Sequence, residues 1–260
     1  MKKLFVPLLP LPLLALCANA AYITAGLDNL SRGIPANDPC GIISSVSIPG
    51  PTGPITQVEV TMDLFGGPAS GLYAYLYHDG QMAVLLNRVG VCASNPYGYD
   101  SEYDQGFISL IGEPFTFADN AASDIHYYQA IPGSQFFFWV VGTWQPDGRN
   151  ISPLSPAAAF NNAPRSNMLS VFDGTEAGGT WTLFIANVWP LGQDTLYDWS
   201  VEITTVPEPS TALAGLTALG LAVWLSTGRS RGRRCPGSAN SQTNGAAALH
   251  ISMNSACKLL

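Results

Sequence analysis

Three carboxylates stand at alternate positions in the run Asp100-Ser101-Glu102-Tyr103-Asp104. That spacing lets oxygens from one loop converge on a hard divalent cation such as Ca²⁺. The run lacks the glycine and the distal glutamate of an EF-hand, so a solvated acidic turn is the alternative reading. Asp119, Asp124, Asp173 and Glu176 are weaker oxygen donors on other loops. Hydrolysis through a covalent intermediate would need a nucleophile, a base and a group that orients the base. Between residues 21 and 206 the only imidazoles are His78 and His126, and no Gly-x-Ser-x-Gly elbow occurs. His78 beside Asp79 reads as the tip of a hairpin, and His126 before Tyr127 and Tyr128 as a strand histidine that could line a groove. The expectation is a protein without catalytic residues. Tyr73, Tyr75, Tyr77, Tyr97, Tyr99, Tyr103, Tyr127 and Tyr128 could supply flat stacking surfaces for sugar rings; the alternative is a strand buried on both faces.

Charge narrows the range of partners. Residues 21–206 carry every acidic residue of the chain except Glu208, against Arg32, Arg88, Arg149 and Arg165 and no lysine. So acidic a body repels phosphate backbones, which argues against nucleic acid and leaves cations, neutral glycans and basic surfaces. Cys40 and Cys92 are the only cysteines in that body, a candidate disulfide for an oxidising compartment. No Cys/His spacing suggests zinc.

The elements that would position these groups read as strands. Ile55–Leu64 alternates Val58, Val60, Met62 and Leu64 against Gln57, Glu59, Thr61 and Asp63. LYAYLYH sets Leu72, Ala74 and Leu76 against the tyrosines, and Met82–Val89 follows through His78-Asp79-Gly80, predicting a three-stranded meander. Residues 21–53, rich in Gly, Pro, Asn and Ser, predict a surface arm with one edge strand near Ser44–Ile48. Short strands are predicted near Phe115–Phe117, Ile125–Gln129, Phe136–Val141 and Met168–Phe172. Two further runs each open on a tryptophan: Trp181, Leu183 and Ile185, then Trp199, Val201 and Ile203. They predict a closing hairpin whose apolar face needs a second layer. The fold class is all-β, a two-layer antiparallel sandwich over 54–205.

GTWTLFIAN and LYDWSVEI, with the approach through Phe172 and Gly174, resemble the end of the P domain that follows the catalytic domain in proprotein convertases. Gly179, Thr180, Trp181, Thr182 and Leu183 match its pattern, while Ser70-Gly71-Leu72 replaces the family's Gly-Asp-Leu turn. The segment VGTWQPDGRNISPL also resembles exported bacterial P-domain-like proteins. The resemblance implies a jelly-roll type sandwich, with calcium as a family ligand. It also implies an accessory role, docking to and stabilising a separately encoded subtilisin-like protease.

Both ends read as addresses. MKKLFVPLLPLPLLALCANA has a basic start, an apolar run and the small-x-small end Ala18-Asn19-Ala20, a secretory signal cut after residue 20. A lipoprotein signal at Cys17 is the alternative, disfavoured by the bulk of Leu16. After the body, Pro207-Glu208-Pro209, an apolar helix over 210–226 and the cluster Arg229, Arg231, Arg233 and Arg234 resemble a PEP-CTERM sorting segment, 206–234. That resemblance implies transient insertion in the inner membrane, with the arginines on the cytoplasmic side, and cleavage by an exosortase. A permanent single-span anchor is the alternative. Residues 235–260 read as a polar, disordered tail. The leading expectation is an exported, non-enzymatic surface or matrix protein associated with extracellular polysaccharide.

Overall fold

The strands fall into two sheets that meet on apolar faces and bury them between the layers. The computed structural model describes residues 20–91, 114–130, 140–190 and 192–206. The first sheet runs β1 (Ala21–Leu27), β10 (Asp194–Thr205), β4 (Ile55–Phe65), β7 (Phe115–Ala118) and β8 (Gly142–Trp144), with β2 (Arg32–Ile34) also pairing β10. The second runs β3 (Asp38–Ile48), β9 (Gly179–Asn187), β5 (Leu72–His78) and β6 (Gln81–Asn87). Pairing is antiparallel except between β7 and β8, which run parallel. The all-β, two-layer expectation therefore stands, and its uniformly antiparallel character does not.

The tryptophan-led strands do not form a hairpin. β9 lies in the second sheet between β3 and β5, while β10 lies in the first between β1 and β4. The connection over 188–193 contains Pro190 and lacks the two-residue turn of a tight hairpin. It is tied instead by Val188 N–H donating to Gly71 O, and by Asn187 Nδ2 donating to Asp194 Oδ2 at 2.6 Å from one layer to the other. The meander fails likewise, because β4 and β5 lie in different sheets and only β5–β6 is a hairpin. These two crossings pass backbone against backbone: a Cβ on Gly66 would meet Gln193 O at 2.3 Å, and one on Gly192 the Gly67 Cα at 2.7 Å. Only glycine permits that approach.

The predicted surface arm is instead three strands. Ala21 stands opposite Thr205 and Leu27 opposite Trp199, so β1 is zipped along the end of β10. The predicted edge strand is the latter half of β3, which borders the second sheet. Alternation in AYITAGL carried this information, but the turn residues that follow it dominated the composition. The strands predicted at 125–129 and 168–172 are 3₁₀ turns, Ile125–Ala130 and Leu169–Phe172. Aspartates explain both: Asp124 Oδ1 accepts His126 N–H at 2.9 Å, and the Asp119 carboxylate accepts Leu169 and Ser170 N–H at 2.9 and 2.7 Å. Such side-chain acceptors stabilise a turn in competition with a strand ladder. The strand predicted at 136–141 falls mostly outside the described residues; β8 begins just after it.

Trp181, Leu183, Ile185, Trp199, Val201 and Ile203 are all buried, as are Val58, Val60, Met62 and Leu64 on β4 beside β10. Trp199 Nε1 donates to Ser44 Oγ at 2.8 Å, joining the first sheet to β3 of the second. Trp181 Nε1 donates to Ala177 O at 3.0 Å. Both indoles thus bury their rings and satisfy their single donor. Apart from Ala20 and Val206, the signal, the sorting segment and the tail lie outside the described residues, among which no helix is long and apolar enough to cross a membrane.

Candidate functional site

Titratable side chains gather where three loops meet beside β6. The 3₁₀ turn after Asp124 presents His126, the segment after β8 presents Asp147 and Arg149, and the chain after the short helix α1 (Ala157–Asn162) presents Arg165. Backbone bonds bring this segment to β6: Asp147 N–H donates to Leu85 O at 3.0 Å and Gly148 N–H to Val84 O at 2.9 Å. Asn87 Nδ2 reaches Arg149 O and Ile151 O at 2.9 and 3.0 Å. The segment therefore acts as an extra rung along the β6 edge.

Within the cluster, His126 Nδ1 lies 2.9 Å from Asp147 Oδ2, and both residues are fully buried. Arg149 contacts Asp124 at 3.2 Å and Asp147 at 3.4 Å, while Arg165 Nε reaches Asp124 at 3.4 Å. Arg165 also donates to Gln145 Oε1 at 2.9 Å and to the carbonyls of Pro146 and Asp147 at 2.7 and 3.1 Å. Burial alone would lower the Arg149 pKa. The carboxylates of Asp147 and Asp124 outweigh it and hold the guanidinium above its usual range. Two carboxylates and two guanidiniums balance in charge, which makes their burial tolerable.

An aspartate on a histidine resembles two thirds of a hydrolytic triad, but the far side of the ring is closed. His126 Nε2 faces Asn161 Oδ1 at 3.4 Å, Phe160 lies parallel over the ring, and Tyr127 meets it edge-on. No hydroxyl or thiol stands at either nitrogen among the described contacts. The arrangement holds three loops together around a fully buried imidazole.

His78 stands at the tip of the β5–β6 hairpin, opposite Gln81. It is buried, stacked on Trp181 with ring centroids 3.9 Å apart and planes within 3°. Its Nδ1 faces Thr180 O at 3.0 Å and its Nε2 faces Glu176 O at 2.7 Å. Carbonyls only accept, so a ring with one N–H serves one of them and a ring with two serves both. Next to it the Glu176 carboxylate accepts from the Thr52 hydroxyl at 2.7 Å, from Thr52 N–H, and from Gly53 N–H at 2.9 Å. These donors, the Thr52 hydroxyl foremost, hold Glu176 below the usual carboxylate range.

The oxygen donors singled out in the sequence are thus dispersed. Asp124 is spent on arginines and Glu176 on backbone N–H groups. Asp119 and Asp173 line one open pocket of about 200 Å³ with Thr56, Gln57, Val58, Asn120, Leu169 and Ser170. Burial, then the neighbouring Asp119, raises the Asp173 pKa. No group of three or more His, Cys, Asp or Glu side chains among the described residues is arranged to hold a metal. Asp100, Glu102, Asp104, Pro207, Glu208, Pro209 and the arginines at 229, 231, 233 and 234 lie outside the described residues. Cys40 is disulfide-bonded, and its partner, like Cys92, lies outside them too.

The tyrosines of β5 do not form an open platform; Tyr97, Tyr99 and Tyr103 lie outside the described residues. Tyr73 is buried and Tyr75 half-buried in a cluster with Phe184, Val84, Ala186 and Met82, and Tyr75 stacks on Phe184 at 4.7 Å. Burial pushes the Tyr73 hydroxyl up to about 12. The second of the two alternatives read from the sequence, a strand buried on both faces, describes this strand.

No protein-family model matches the chain, and no curated protein sequence matches it. Two solved structures are similar to part of it: a serine protease of Aeromonas sobria, and a complex of that protease with a chaperone. Each is 14% identical, with TM-scores of 0.37 for the former and 0.38 for the latter. The matches cover 72% and 73% of this chain and 27% of the other in each case, so the chain spans about a quarter of the length of the chains it matches. At that similarity neither the protease's activity nor its chaperone transfers to this chain.

Proposed function

We propose that the chain is an exported, non-catalytic β-sandwich module that works by binding at the cell surface or in the extracellular matrix. One observation carries the reading: both imidazoles of the body are occupied by hydrogen bonds that hold loops. His78 faces two carbonyls, and His126 lies between Asp147 and Asn161. A general base needs a nitrogen within reach of substrate, and neither ring offers one through the described residues. The PEP-CTERM-like segment supports the address, with cleavage by an exosortase near Pro207–Pro209 and extracellular polysaccharide as the matrix partner. The P-domain-like strands suggest a jelly-roll type sandwich. They also favour a second reading, in which the module docks to and stabilises a separately encoded serine protease.

Mass spectrometry of the protein from its host tests the address, which predicts a C-terminus near residues 207–209; a retained arginine cluster refutes it. A polysaccharide pull-down and a search for a co-purifying peptidase separate the two partner classes. A hydrolase screen is expected to be blank, and turnover abolished by His126→Ala would overturn the non-catalytic reading.

A further inference from the structure

We propose that β3 is a self-complementary edge through which a second copy of this chain pairs, antiparallel and about a two-fold axis at Val46. β3 pairs β9 on one side, and no described strand pairs its other side. Ile43, Ser45, Ser47 and Pro49 are exposed, with Ile43 at 41%. From residue 39 to residue 58 the sequence has no charge, in a body that carries all but one of the chain's acidic residues. Two copies of such a body repel each other across most faces, and an uncharged edge is where they can meet.

Arg32 Nη1 donates to Ile43 O at 2.5 Å, so the Ile43 carbonyl points away from β9. N–H and C=O of one residue in an antiparallel strand point the same way, and alternate residues share that direction. The N–H and C=O groups of Ser45 and Ser47 therefore point outward as well. A two-fold at Val46 sets Ser45 opposite Ser47 of the other copy, and Ile43 opposite its Pro49. The two serine pairs exchange four backbone hydrogen bonds. At the ends Ile43 N–H donates to the carbonyl of the facing proline. Proline has no N–H to return, and the acceptor this would strand is the Ile43 carbonyl, which Arg32 already satisfies. The match between a missing donor at Pro49 and a supplied one at Arg32 is what singles out a second copy rather than an arbitrary strand. Natural edges are commonly blunted by charge or proline to prevent pairing; here both devices sit where a two-fold pairing uses them.

Sedimentation velocity of the exported protein over about 1 to 100 µM tests this. The expected result is a reversible dimer. Ser47→Pro removes one outward N–H per copy and raises the dissociation constant by about tenfold or more, at an unchanged melting temperature of the monomer. Arg32→Ala discriminates the two roles open to that residue: if it completes the interface, the variant associates more weakly; if it only guards the edge, the variant associates more tightly. A monomer at every concentration, a dimer indifferent to Ser47→Pro, or tighter association of Arg32→Ala would each overturn the proposal. Amide hydrogen exchange gives an independent readout, with Ser45 and Ser47 gaining protection as concentration rises.

Discussion

His78 lies among backbone carbonyls at the approach to β9, whereas His126 lies among side chains supplied by three separate loops. The first environment exists once β5 and β9 have paired, because Thr180 O and Glu176 O belong to the chain that enters that ladder. The second requires the chains around residues 124–126, 145–149 and 161–165 to dock together, since each contributes one side of the charge balance. A buried polar group held by backbone is therefore tolerant of changes elsewhere. One held by a network fails as a unit.

The largest expected effect comes from breaking the network at its centre. Asp147→Ala leaves His126 without its carboxylate and Arg149 with a single acid, and should cost about 3–5 kcal/mol in chemical denaturation. A double-mutant cycle of Asp147 with His126 should show strong coupling, and additivity would dissolve the contrast between the two sites. At the other site His78→Gln keeps a polar side chain but loses the stack on Trp181 and one carbonyl partner, for about 1–3 kcal/mol. A loss equal to that of Asp147→Ala would erase the distinction.

Two carboxylates sharpen it at smaller scale. Hydrogen bonds from Thr52 and Gly53 lower the Glu176 pKa, so its contribution is present above the ordinary carboxylate range and is lost as pH falls through its lowered value. Glu176→Gln should therefore flatten the acid limb of the stability profile. Asp173 has the opposite sign: burial and Asp119 raise its pKa, so its ionised form destabilises the fold at neutral pH and protonation relieves this as pH falls. Asp173→Asn should give a small stabilisation near pH 7 that disappears in acid, read from thermal melts across pH.

Alternation in the sequence was enough to identify the two-layer β class and the buried faces of β4, β9 and β10, because period 2 follows directly from the strand pleat. It could not say which strands share a sheet. β9 and β10 carry the same pattern whether adjacent or opposed, and the Asn187–Asp194 tie that sets them in different layers has no periodic signature. The charge network was illegible for a related reason. Asp147, Arg149 and Arg165 sit in Pro-, Gly- and Asn-containing loops, where charged residues are normally solvated. One signal was available: with four arginines and no lysine in the body, each cation was a candidate for specific work. The structure buries Arg88 and Arg149 and half-buries Arg165.

The pairing of Ala21 with Thr205 brings both ends of the body to one pole, on neighbouring strands. Tension applied between those two points pulls across the β1–β10 ladder, whose bonds lie perpendicular to the strands. The rungs then open one after another, as in a zipper, rather than resisting together. A module built this way is mechanically weak when tethered by both ends and sound when held by one.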